Sequence, residues 1–306
     1  MVMGKIRKNL QYVGSAARLC GPRMGVTSLF HHLTHRDAAA YYAKLVDTSW
    51  NSFMKDIPFD AAALETCSLP NDGPIWVMWW QGLDGTEPPI VRACVDSIRR
   101  HANGRPVHII TKDTIARYVT LDASIMDKLR NGKITITTLS DIIRFALLHE
   151  HGGMWMDATI YLTADLARDI GQYPFYSIPN HETAPTRNWT GYFMGGAKGN
   201  PLFSYMYQAF VTMYALVDRI PDYFMIDVML SAAYTHIPQV KTMIDTVPEN
   251  NIHRLYLADK LAEPPVTLPA DTYAYKLTYK NLGNVVNDTG NVYQRIINGW
   301  DGASIE

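Results

Sequence analysis

Residues 140–162 read SDIIRFALLHEHGGMWMDATIYL, and this stretch decides how the rest of the chain is read. Asp141 and Arg144 stand three apart inside an apolar pattern of helical period, so they share one helix face. Gly152-Gly153 stops that helix, and Met154-Trp155-Met156 is a short apolar run of strand type. Asp157 follows at the end of the run. A helix, a glycine stop, a strand and a terminal carboxylate predict a compact device that gathers an acid, a guanidinium and a metal-ligating carboxylate around one small polar ligand. If the strand continues, Thr159 falls on the same face as Asp157 and offers a hydroxyl.

Upstream, Ile75 to Trp80 (IWVMWW) is a continuous apolar run, as expected of a strand buried on both faces. Gln81-Gly82-Leu83-Asp84-Gly85 is loop chemistry. Pro88-Pro89 opens a helix with Ile90, Val91, Cys94 and Ile98 on one side. Val107 to Ile110 then reads as a second buried strand. Strand, helix and strand in about 35 residues make a βαβ unit, whose crossover implies parallel pairing. Short helices are expected over 111–118 and 123–130, a strand over 191–194, a long helix from Pro201 to Val217, and another over 223–234. His181-Glu182 reads as loop, and the chain beyond Pro264-Pro265 is turn-rich with a short piece at 273–278.

The 306 residues hold 47% hydrophobic and 19% charged side chains, which describes a globular chain rather than a disordered one. Cys20, Cys67 and Cys94 are odd in number and widely spaced, which argues against a disulfide framework or a zinc site. With neither an 18-residue apolar span nor a secretory signal, a cytoplasmic location is expected. Charge is uneven: residues 1–36 carry +6 and no acid, so the other 270 carry −7 to reach the net of −1. Residues 1–70 are therefore read as a basic, helical extension, and 71–306 as the main domain. Such a leader either caps the domain or attracts the anionic inner face of a plasma membrane.

Transfer of a sugar from a nucleoside diphosphate needs the charge of the departing pyrophosphate neutralised, and Mg²⁺ or Mn²⁺ held by oxygen ligands does this in many enzymes. It also needs a carboxylate and a guanidinium for the sugar hydroxyls, and an apolar slot for the base. Asp157, with Thr159, is the expected metal site. Asp141 and Arg144 are expected to hold the sugar, and Trp79, Trp80 and Gln81 to form the base pocket at the end of the first strand.

The order Ser-Asp-x-x-Arg, helix end, Gly-Gly-x-x-x-Asp resembles glycosyltransferase family thirty-two, specifically its capsular-polysaccharide-synthesis branch, and the related glucosylating toxins. The resemblance spans about residues 74–280, though only 140–162 is specific. It implies a GT-A fold, a Rossmann-like and mostly parallel sheet flanked by helices. It also implies a retaining hexosyltransferase that uses a nucleotide sugar, expected to be UDP-linked, on a glycan or lipid-linked acceptor, with no nucleic acid involved. On the same basis Ser140, Asp141 and Arg144 contact the donor, and Asp157 belongs to an Asp-x-Asp motif whose second acid is Thr159 here. Gly191 to Pro201 resembles the strand and loop before an acceptor-side helix. Tyr275 to Lys280 resembles a C-terminal segment in which Lys276 and Lys280 reach the diphosphate. Asp222 and Asp227 are candidates for orienting the acceptor hydroxyl. In a retaining reaction the leaving phosphate itself takes the acceptor proton, so no catalytic base is nominated.

Two other functions compete. A degenerate GT-A protein would bind a nucleotide sugar or glycan without transfer, and Thr159 is the feature favouring it. A nucleotidyltransferase would also use strand-end carboxylates, but it expects a basic, glycine-rich loop after the first strand, and residues 81–85 hold no base. His149-Glu150-His151 lacks the spacing that sets two imidazoles on one helical face for a metal.

Overall fold

The computed structural model describes residues 2–34, 38–67, 69–180 and 188–300. Arg36 of the basic leader and the His181-Glu182 loop lie outside the described residues. In chain order come α1 (Val2–Cys20), α2 (Pro22–Thr34), α3 (Ala38–Ser49), α4 (Ala63–Thr66), β1 (Ile75–Met78), α5 (Pro89–Arg100), β2 (Val107–Ile110), α6 (Ala123–Arg130) and α7 (Ile136–His151). There follow β3 (Gly153–Met156), β4 (Ile160–Leu162), β5 (Phe175–Ser177), β6 (Phe193–Gly196), α8 (Pro201–Leu216), α9 (Met225–His236), α10 (Pro238–Asp245), α11 (Tyr256–Asp259), β7 (Ala274–Lys276) and α12 (Val292–Ile297). Contacts group the chain into two units, each assembled from three stretches: Met1–Thr66, Val119–His149 and Pro201–Met243, then Cys67–Tyr118, Glu150–Asn200 and Ile244–Glu306. The chain first passes from one unit to the other at 66/67, and 119–149 and 201–243 group with the N-terminal stretch rather than with the rest of 71–306.

The first unit is helical. Gly21 turns the chain with φ +90°, so α2 folds back along α1. The helices touch where Gly25 faces Ala17; a β-carbon on Gly25 would stand 2.6 Å from that of Ala17, so only glycine allows the approach. Its core lies on α7 and α8, where Phe145 meets Phe203 and Phe210 with ring centroids 6.5 and 6.3 Å apart. These side chains are fully buried, and each contributes a few kcal/mol, about 3–5 by truncation to alanine.

The second unit is built on a five-stranded mixed α/β sheet, ordered β2-β1-β3-β6-β5. β1 pairs parallel with β2 and β3, as the βαβ pattern requires, and β6 and β5 add antiparallel. β1 is buried throughout. β2 differs from the fully buried strand expected: it is the edge of the sheet, so Val107, His108 and Ile109 are half-buried.

The glycine stop becomes a tight corner. Gly153 has φ +93°, and a β-carbon there would lie 2.0 Å from the Pro74 carbonyl oxygen. No other residue type fits that approach without moving backbone. Trp76 donates its indole N–H to the Gly152 carbonyl at 2.9 Å, satisfying an acceptor the helix end leaves open. Buried Asn71 accepts the Gly153 N–H at 2.9 Å.

Beyond β3 the chain does not continue as a strand. The Ile160 N–H donates to the Asp157 carbonyl at 2.9 Å, so Asp157-Ala158-Thr159-Ile160 is a turn that passes the chain into a second sheet, β4 paired antiparallel with β7. The expectation that strand alternation sets Thr159 beside Asp157 is corrected: a turn does it.

Candidate functional site

The turn after β3 is pinned from both sides. The Asp157 N–H donates to the Tyr192 carbonyl at 2.9 Å, and the Thr159 carbonyl accepts from Leu277 N–H at 2.8 Å. The register sets Ile160 opposite Lys276, which brings the Lys276 ammonium back to the turn. Its Nζ lies 2.7 Å from Asp157 Oδ2 and 2.7 Å from Thr159 Oγ1. The other carboxylate oxygen, Oδ1, accepts the Trp155 indole N–H at 3.0 Å. The side chains of Lys276 and Asp157 retain 23% and 32% of their exposure, so solvent or a ligand reaches them.

Beneath the ammonium is an aromatic ring and a second cation. Lys276 Nζ stands 4.9 Å from the Tyr192 ring centroid, a cation–π distance. Arg254 donates from Nε to the Tyr192 hydroxyl at 3.0 Å and from Nη2 to Asn180. It is 2% exposed, and its carbonyl accepts the Lys276 N–H at 2.8 Å. Burial raises the Tyr192 pKa although Arg254 opposes the shift, so the phenol stays neutral. Two cations and one carboxylate leave this cluster with a net positive charge, suited to an anion.

The sequence places the other named residues less uniformly. Trp79 and Trp80 are half-buried at the end of β1 and Gln81 is exposed. The Trp79 ring meets Tyr279 edge-on at 5.6 Å, so the first strand's end and the 275–280 segment do come together. Lys280 is exposed, its ammonium 5.4 Å from the Tyr279 ring. In the helical unit, Arg144 is 3% exposed and its Nη2 lies 3.4 Å from Asp141 Oδ1. Ser140 turns its hydroxyl back to the Thr137 carbonyl at 2.6 Å. Asp227 is half-buried in the first turn of α9.

Asp222 stands elsewhere in kind. It is 1% exposed, accepts from the Tyr41 and Tyr42 hydroxyls at 3.1 and 3.3 Å, and accepts the Phe224 N–H at 2.9 Å. His32 Nε2 lies 3.6 Å away. Burial, and then the Asp222 charge, push the Tyr41 pKa well above its ordinary value, so that hydroxyl remains a donor. A carboxylate so enclosed binds its own unit together and does not meet an acceptor.

Tyr192, Arg254, Asn180 and Trp155 are site residues that sequence reasoning missed. Trp155 lay inside the strand pattern, and Tyr192 in the quoted 191–201 stretch. Arg254 had no local signal; only its burial identifies it. His151, from the discounted His-Glu-His run, donates from Nε2 to the Tyr118 carbonyl at 2.7 Å and faces the Trp76 ring. A cavity of about 430 Å³ in the helical unit, lined by Phe53, Ile57, Ser204 and Tyr205 among others, holds no predicted site residue.

A divalent cation at Asp157 and Thr159 asks for about six hard oxygen ligands. The donors here are one carboxylate with both oxygens engaged and one hydroxyl that already accepts from an ammonium. Among the described residues no group of three or more His, Cys, Asp or Glu is arranged to hold a metal. As arranged, both side chains are engaged by an ammonium, which a divalent cation would have to displace.

The family model for capsular polysaccharide synthesis proteins matches residues 31–296, so the chain belongs to that family. The resemblance carried by Ser140 to Leu162 is thereby borne out at the level of the capsular-synthesis branch. Among solved structures, the PaToxG glycosyltransferase is similar at 13% identity and a TM-score of 0.38, over 67% of this chain and 83% of that one. No protein of curated function matches.

Proposed function

We propose that this protein is a glycosyltransferase of capsular or other surface-polysaccharide synthesis, moving a hexose or related sugar from a nucleotide sugar, UDP-linked by preference, to a glycan or lipid-linked acceptor. Membership in the capsular-synthesis family supports the pathway. The single observation that carries the chemistry is the Asp157–Lys276–Thr159 cluster, with Arg254 behind Tyr192. It is a partly open, net-positive site at a strand end, where a diphosphate finds charge and donors. Trp79 beside Tyr279 is a flat apolar edge for a base. Asp141 and Arg144 are assigned to the donor sugar through the family resemblance. In a retaining transfer the bond from the anomeric carbon to the phosphate oxygen breaks with its electron pair on that oxygen. The acceptor oxygen bonds the anomeric carbon from the same face and gives its proton to the departing phosphate.

A thermal-shift panel of nucleotide sugars tests this, because a ligand that binds the native state raises the melting temperature by mass action. The donor sugar's nucleotide should shift the melt by several degrees, and incubation with acceptor should release free nucleoside diphosphate. A panel with no shift would remove the reading. Stabilisation without any release would favour the binding-only alternative that Thr159 suggests.

A peripheral membrane contact belongs to the same proposal. Val26, Leu29, Phe30 and Leu33 lie at helical spacing along α2 and are all exposed, Leu33 by 72%, while Met24, Gly25, Ser28 and His31 turn inward. Exposed Arg7, Lys8, Arg18 and Arg23 accompany them. An exposed apolar stripe on a helix pair that carries exposed basic residues fits an anionic bilayer surface. Among the described residues no helix is long and apolar enough to cross a membrane. Co-sedimentation with phosphatidylglycerol vesicles should be strong, and should be lost in the Phe30→Glu, Leu33→Glu double variant. Equal binding by both proteins would overturn the assignment.

A further inference from the structure

We propose that the Lys276 ammonium stands in for the divalent cation of the donor site, so that this enzyme binds and activates its nucleoside diphosphate without a metal. The inference rests on the glycosyltransferase reading above and asks what neutralises the leaving group within it.

Three observations carry it. Lys276 is delivered by backbone: β7 is zipped to β4, and the Lys276 N–H is bonded to the Arg254 carbonyl, so the residue is held next to Thr159 whatever its side chain does. Its Nζ then bridges Asp157 Oδ2 and Thr159 Oγ1 at 2.7 Å each, the two side chains in the places of an Asp-x-Asp metal site. A threonine in the second place removes one negative charge from the pair and leaves a hydroxyl that accepts from the ammonium. Asp157 and Thr159 together, with one negative charge, balance one lysine.

The ammonium also has capacity for the ligand. Two of its three N–H bonds go to Asp157 and Thr159, and among the described residues the third has no acceptor. A phosphate oxygen is the acceptor that completes it. Arg254 adds a second buried positive charge behind Tyr192, so the cluster supplies the two charges of a divalent ion from two side chains. When the bond from the anomeric carbon to the β-phosphate oxygen breaks, its electron pair stays on that oxygen. Lys276 stabilises the charge while keeping its own proton, and the acceptor's proton goes to the phosphate.

UDP binding by calorimetry, on the full chain, in excess EDTA and in Mn²⁺, tests the proposal. The affinity should agree within about threefold between the two conditions. Lys276→Met should lower it at least tenfold in both, with Lys276→Arg retaining an intermediate affinity. Binding seen only with Mn²⁺ would overturn the proposal and leave the glycosyltransferase reading standing. So would Lys276→Met binding as well as wild type. Should Lys276→Met fail to fold, the EDTA and Mn²⁺ arms on the wild-type chain still decide. No binding of UDP, GDP, ADP or CMP under either condition would remove the nucleotide-sugar reading, and this proposal with it.

Discussion

Asp157 and Asp222 are both carboxylates that take hydrogen bonds from side chains more than a hundred residues away in sequence, yet they serve different ends. Asp222 is sealed under Tyr41 and Tyr42 in the helical unit, with a backbone N–H completing its acceptors. Asp157 sits at a strand tip in the sheet unit, a third exposed, and its partner is a lysine that, among the described residues, gives two of its three N–H bonds to side chains. An enclosed carboxylate with neutral donors is a fastening. A carboxylate that shares a partly exposed cation holds charge where a ligand can meet it. Residue type and proximity to a helix start or strand end do not separate the two; the partners do.

The largest expected effect follows at Asp157. Asp157→Asn should lower transfer by about a hundred- to a thousandfold, the scale of losing one electrostatic element of an active site. The melting temperature should hold within a few degrees, because a partly exposed ion pair is worth about 1 kcal/mol or less. A fold that collapses together with activity would make Asp157 a fastening as well. Asp222→Ala should do the reverse. It takes the acceptor from the buried Tyr41 hydroxyl and removes a bond from two part-buried donors, and should cost about 2 kcal/mol, read as a melting point lower by roughly 4–8 °C, while the folded fraction keeps its specific activity. Loss of activity at unchanged stability would return Asp222 to the acceptor role.

Smaller changes sharpen the contrast. Tyr41→Phe removes one of the donors to Asp222 and should cost about 1 kcal/mol in urea unfolding. Asp218 supplies the smallest effect. Hydrogen bonds from Lys128 and then Lys133 lower its pKa from 3.8 to about 2. Its folded value lies below its unfolded one, so its contribution is present above about pH 4 and disappears as pH falls through about 2. Half of this side chain is exposed, so the contribution stays below about 1 kcal/mol. Asp218→Asn should thus shift the urea midpoint slightly at pH 7 and by less at pH 2.

Much of the sheet unit was legible because its signals are local. The apolar run at 75–80, the Pro-Pro helix start and the Gly-Gly stop each act within a few residues, and the βαβ pairing follows from them. Lys276 was reached only through the likeness of 275–280 to a family segment, since nothing in its neighbourhood tells it from a surface lysine. Arg254 and Tyr192 were not reached, because burial and a bond across 62 positions define them. Thr159 lay at the right position for the wrong reason: a turn and a second two-stranded sheet, rather than pleat alternation, set its direction. The enclosure of the candidate Asp222 could not be read, because Tyr41 and Tyr42, 180 or so residues earlier, leave no trace at Pro221-Asp222.

The pairing of β4 with β7 has a consequence for synthesis. Asp157 and Lys276 are 119 positions apart, so a growing chain exposes the carboxylate long before its lysine exists. During translation the strand tip waits without its counter-charge, and the ribosome must add a further 119 residues before the two can meet. A product ending before residue 274 would keep β1, α5 and β2 and lack the Asp157–Lys276 pair. Pairing of the second sheet and neutralisation of the Asp157 charge are thereby made one event.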